Sequence, residues 1–110
     1  MAQAINLTDE TFEAGVANGL TLVDFWAPWC GPCLVTDSIV RELGHEHDGR
    51  LRIAKLNIDD HPKTPIKLHL SSLPVVMLFQ DGMPVEVVLG ALPKREYVSR
   101  FEPYLETQPT

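Results

Sequence analysis

The sequence predicts an α/β layer fold: a central mixed sheet of four to five strands flanked by helices on both faces. Three observations lead there. Apolar runs of strand length alternate with stretches of helical spacing, Asp81-Gly82 separates two strand-like runs as a hairpin turn, and no repeat, low-complexity stretch or linker interrupts the order. At 110 residues the chain has the size of one domain, 1–110, and 45% hydrophobic with 22% charged residues is a globular balance that supplies a core without staples.

Ile5-Asn6-Leu7 reads as a short initial strand. Thr8 is placed to cap a first helix, with Asp9 and Glu10 in its first turn and Phe12 and Val16 four apart on one side; Asn18-Gly19 ends it. Leu20 to Phe25 is apolar almost throughout, the pattern of a strand buried on both faces. Pro32 suits the first turn of the next helix, where its missing N–H costs nothing. Val35, Ile39, Val40 and Leu43 give that helix an apolar stripe until Gly44 weakens it. Leu51 to Ile58 is the next strand, closed by Asp59-Asp60-His61-Pro62, and a short helix from Thr64 to Leu70 follows. Pro74 to Gln80 is strand-like, and Val85 to Leu89 returns antiparallel to it. The last helix runs from about Lys94 to Tyr104, with Tyr97, Phe101 and Tyr104 or Leu105 on its inner side. The order β-α-β-α-β-α-β-β-α joins parallel strands through helices and finishes in an antiparallel hairpin.

Charge and composition narrow the function. A net charge of -6 without a Lys/Arg cluster leaves nothing to neutralise phosphates, which argues against a nucleic-acid partner. Met1-Ala2-Gln3-Ala4-Ile5-Asn6 lacks the basic-then-apolar order of a secretory leader, and no apolar run approaches bilayer length. The expectation is a cytoplasmic protein of a reducing compartment, away from membranes, where a close cysteine pair means redox or metal chemistry more often than a staple.

Cys30 and Cys33 are the only cysteines, two residues apart, between the Leu20 run and the Pro32 helix. A strand that ends just before a helix points its loop at unpaired N–H groups and the positive end of the helix dipole, which favour a thiolate. This arrangement lowers the pKa of Cys30 and makes it the attacking sulfur. Cys33, one turn into the helix, is less exposed and close enough to resolve a mixed disulfide formed by Cys30. A zinc site would need two of His45, His47, His61 and His69, and the single residue between His45 and His47 misses the three to five of a zinc finger. Two inert packing cysteines would have no reason to bracket Gly31-Pro32. Redox exchange leads on the residues alone, with no metal.

The stretch Val23-Asp24-Phe25-Trp26-Ala27-Pro28-Trp29-Cys30-Gly31-Pro32-Cys33 resembles the active-site signature of the thioredoxin family. Ala54 to Asp59, Leu73-Pro74 before a strand, Phe79 with Gly82 at the hairpin, and Gly90-Ala91-Leu92 extend the resemblance over about Leu7 to Leu105. It implies a thioredoxin fold and a thiol–disulfide oxidoreductase that reduces protein disulfides as a redox carrier. Its redox group would be its own Cys30–Cys33 pair, without a cofactor. Its partners would be disulfide-containing proteins and a thioredoxin reductase that uses NADPH or ferredoxin, and the chain would act as a monomer. A thioredoxin-fold binding scaffold, or a specialised redox partner with little general reductase activity, is the alternative.

The resemblance assigns further roles. Trp29, Gly31 and Pro32 would shape the exposed rim. Pro74 would be a cis proline, leaving the backbone of Leu73 to pair with an extended substrate segment; Val75, Gly90 and Ala91 would complete that edge. Asp24 would take the proton of the Cys33 thiol, with Lys55 as the nearby cation. Asp24 also has an argument of its own: a carboxylate inside an apolar strand is desolvated, which raises its pKa toward the neutrality a proton carrier needs.

Some residues depart from the family pattern. Leu34 stands where a basic residue is usual, Ser38 where a helix-kinking proline is usual, and Val75 replaces the usual Thr. Asp37, four residues after Cys33, falls on the same helical face and is expected to share a site with Asp24 or to sit close enough to Cys33 to oppose thiolate formation, which with Leu34 in place of a cation raises the thiol pKa values; the other expectation is a solvated carboxylate. The histidines read as surface residues.

Overall fold

The computed structural model describes residues 4–106. A five-stranded mixed sheet in the order β1-β3-β2-β4-β5 forms its centre. The strands are β1 (Ile5–Asn6), β2 (Leu20–Trp26), β3 (Leu51–Asn57), β4 (Val75–Gln80) and β5 (Met83–Leu89); the helices are α1 (Phe12–Gly15), α2 (Pro32–Glu46), α3 (Lys63–Lys67) and α4 (Lys94–Glu106). β2 runs parallel to β3 and antiparallel to β4, so the central strand is paired along its length on both edges, as its continuous apolar run requires.

Alternation along the strands divides the core in two. Leu20, Leu22, Leu51, Ile53, Val76, Leu78 and Val88 face α2 and α4, where they meet Val40, Leu43, Tyr97, Phe101 and Leu105. Val23, Phe25, Ala54, Leu56, Val75, Met77 and Phe79 face the other way, against Leu7, Phe12 and Val16. Phe12 stands edge-on to Phe79, with centroids 5.4 Å apart. Burial of these side chains, each contributing roughly 1.5–3 kcal/mol, supplies the stability of the sheet.

Several elements differ from the sequence reading. The first helix is a single turn; just ahead of it Thr8 and Thr11 bond reciprocally, each backbone N–H donating to the other's hydroxyl, at 2.9 and 3.1 Å. Asp9, expected in that helix, instead caps α3, accepting from Thr64 N at 2.8 Å and Lys63 N at 3.2 Å. The inward stripe of α2 is Cys33, Thr36, Val40 and Leu43; Val35 points to solvent, and the helix runs through the buried Gly44 to Glu46. α3 ends at Lys67 rather than Leu70, before His69 at a φ of 60°. β5 begins at Met83, where Asp81 (φ 49°) and Gly82 (φ 87°) form the left-handed pair of a tight hairpin. Pro84 is tolerated because β5 is an edge strand.

Candidate active site

β2 delivers the site. It ends at Trp26, a four-residue turn closes through Cys30 N–H donating to Ala27 O at 3.1 Å, and α2 starts at Pro32. The cysteines therefore bracket the start of a helix, at the positive end of its dipole. Their sulfurs are joined in a disulfide across a Cα separation of 5.4 Å, and both residues are largely covered, Cys33 more than Cys30. Trp29 beside them is 67% exposed, its indole Nε1 donating to Asp59 Oδ1 at 3.2 Å; Gly31 and Pro32 are also exposed.

A groove of about 150 Å³ adjoins the disulfide, lined by Trp26, Cys30, Cys33, Leu34, Asp37 and Lys55 among others. Below it lies Asp24, wholly buried, with neither carboxylate oxygen meeting a hydrogen-bond donor among the described residues. Strand alternation places it after Leu22 on the α2 face, and the parallel register sets Lys55 beside it. Burial pushes the Asp24 carboxyl up from its ordinary 3.8 to about 7; Lys55 draws it down, Asp37 pushes it up, and Arg41 draws it down.

Lys55 Nζ lies 2.6 Å from Asp37 Oδ1 and 4.8 Å from the Trp26 ring centroid. Arg41 Nε donates to Asp37 Oδ2 at 2.9 Å. Burial alone would raise the Asp37 carboxyl, but Lys55 and Arg41 hold it below the usual carboxylate range. Asp37 thus joins the environment of Asp24 and, being ion-paired, is not the solvated carboxylate that was the other expectation. Trp26, Arg41 and Asp59 were missed in the sequence. The i,i+4 spacing of Asp37 and Arg41 was a usable signal; Asp59 and Trp26 are placed by tertiary packing and offered none.

The second edge of the site comes from β4. Phe25 pairs with Val75, so the chain before Val75 runs alongside the residues after Phe25. The Leu73-Pro74 peptide bond is cis, and Gly90 N–H donates to Pro74 O at 3.0 Å. Leu73 is half-buried and Ala91 exposed. Val75 does not join this rim: it is paired on both sides, to Phe25 and Leu89, and its side chain is packed in the core, because the strand has already begun there.

A thioredoxin family model matches residues 3–102. The thioredoxin of Staphylococcus saprophyticus is 39% identical over 92% of this chain and 97% of its own length. Those of Staphylococcus haemolyticus and Staphylococcus epidermidis are each 38% identical over the same shares. The chain belongs to the thioredoxin family. It is a thiol–disulfide oxidoreductase with the thioredoxin fold, and Cys30–Cys33 is its redox-active disulfide. No described helix of this thioredoxin-family protein is long and apolar enough to cross a membrane, and no group of three or more described His, Cys, Asp or Glu side chains is placed to hold a metal.

Proposed function

We propose that this protein is a protein-disulfide reductase that works through a mixed disulfide. In the reduced protein the Cys30 thiolate attacks one sulfur of a substrate disulfide, forming a Cys30–substrate bond and releasing the other substrate sulfur as a thiolate, which takes a proton from solvent. Cys33 then gives its proton to Asp24 and attacks the Cys30 sulfur. The Cys30–Cys33 disulfide forms, the second substrate sulfur leaves as a thiolate that takes up the proton held by Asp24, directly or through solvent, and the substrate departs as a dithiol with two electrons gained. Lys55 modulates the proton affinity of Asp24 across the adjoining strand. The observation that carries the reading is a buried carboxyl without a hydrogen-bond donor among the described residues, raised by burial, in the strand that leads to a disulfide at a helix start.

The Gly31-Pro32 pair between the cysteines supports the reducing direction, by resemblance to the family's reductants. Trp29, Gly31 and Pro32, with Leu73, Pro74, Gly90 and Ala91 across from them, form the surface that receives the substrate backbone. Electrons come from a thioredoxin reductase that draws on NADPH or ferredoxin, and the disulfide-bearing proteins it serves are those of a reducing, cytoplasmic compartment. Within this reading the chain acts as a monomeric single domain. A narrower substrate range is favoured by one observation: Leu34, 75% exposed and lining the groove by the disulfide, puts an apolar side chain where the family usually carries a cation.

Insulin reduction, run with and without thioredoxin reductase and NADPH, tests the proposal. The parent protein should precipitate the insulin B chain catalytically with the reductase, and Cys30→Ser should fall to the uncatalysed rate. Equal rates for the two would leave only a scaffold whose partners need the surface and not the thiols.

A further inference from the structure

Asp37 stands one helical turn beyond Cys33 and lines the same groove. Its two oxygens are divided between two cations, Lys55 on Oδ1 and Arg41 on Oδ2. The Lys55 contact is an ion pair of 2.6 Å, and the lysine is only 15% exposed, confined between Asp37 and the face of Trp26. Asp24, the register neighbour of Lys55, receives no hydrogen bond from it. The lysine next to the buried acid spends its closest contact on a different carboxylate, one supplied by the helix that carries Cys33.

We infer that Asp37 is a positioning residue: it clamps Lys55 at the mouth of the groove and so limits how much of that lysine's charge reaches the Asp24 carboxyl when a proton passes between Asp24 and Cys33. The inference rests on the proton-carrier reading of Asp24 given above. The charged groups acting on Asp24 are Lys55 from β3 and Asp37 and Arg41 from α2; β4 and β5 present Val76 and Val88 in its row, both apolar. Neutralising Asp37 removes a repulsion from Asp24 and releases Lys55 toward the remaining carboxylate. Both changes favour ionised Asp24.

The test is a carbon-13 NMR titration of the Asp24 carboxyl in the oxidised protein. Asp37→Asn should lower its midpoint by about half a pH unit or more, and Asp37→Glu should restore it. In a Lys55→Met background the midpoint should rise, and adding Asp37→Asn should then move it less. An unmoved or raised midpoint in Asp37→Asn overturns the inference, and so does a downward shift that persists undiminished without Lys55. The carrier reading is decided separately, by insulin reduction with Asp24→Asn. A full rate there removes that reading whatever Asp37 does, while a slowed rate with an unmoved titration removes only the clamp.

Discussion

Asp24 couples function to stability at the scale of one residue. Burial raises its pKa from the ordinary 3.8 to about 7, so between those values the folded protein holds a proton that the unfolded chain has released. Its stabilising contribution is therefore complete below the unfolded value and is lost as pH rises toward 7. Asp9 and Asp37 act in the opposite sense: burial works against them, but hydrogen bonds from Thr64 and Lys63 and ion pairs with Lys55 and Arg41 hold them low, so their contributions fade only in acid. Denaturant titration of the oxidised protein should show it less stable at pH 8 than at pH 5, by an Asp24 contribution of roughly 2–3 kcal/mol. Asp24→Asn should abolish most of that difference; a parent-like slope in the variant would contradict the assignment. The burial was readable from a single carboxylate inside an apolar run. The partnership of Lys55 with Asp37 was not, because β3 and α2 are brought together only by the sheet.

Among elements, α4 supports the rim of the site through Tyr97. That side chain is fully buried; its hydroxyl donates to Gly90 O at 3.1 Å and receives Leu92 N–H at 3.4 Å. Gly90 in turn donates to Pro74 O. Tyr97→Phe should cost about 1 kcal/mol and speed hydrogen exchange at the Leu92 amide, with the disulfide still formed. Unchanged stability and exchange would show that α4 does not brace this segment. The inner residues of α4 were legible from their spacing, and so was the hairpin turn from Asp81-Gly82. The length of the first helix was not: Thr8 does accept the Thr11 N–H as a cap would, but the helix stops at Gly15, and Asp9 turns across 55 residues of sequence to Thr64. Val35 misled for a related reason: an apolar side chain on an amphipathic helix is not bound to be inside, and the buried Thr36 takes the inward position.

For the molecule as a whole, one sheet does two jobs. Its central strand is buried on both faces to hold the fold, and that same burial keeps Asp24 from ionising fully at neutral pH. The strand then ends at a helix start that bears two cysteines, so the fold's most covered element leads directly to its reactive group. The succession of elements along the chain and the sheet class followed from apolar runs and turn residues; the groove could not, because Trp26, Leu34, Asp37 and Lys55 converge on it from three elements. The most direct measurement is intact-mass analysis of reduced Cys33→Ser after mixing with a disulfide-bearing protein. The account predicts a persistent covalent adduct mapped to Cys30, absent when Cys30 is also Ser. Reduction of the substrate to completion without an adduct, or no reaction at Cys30, would contradict it.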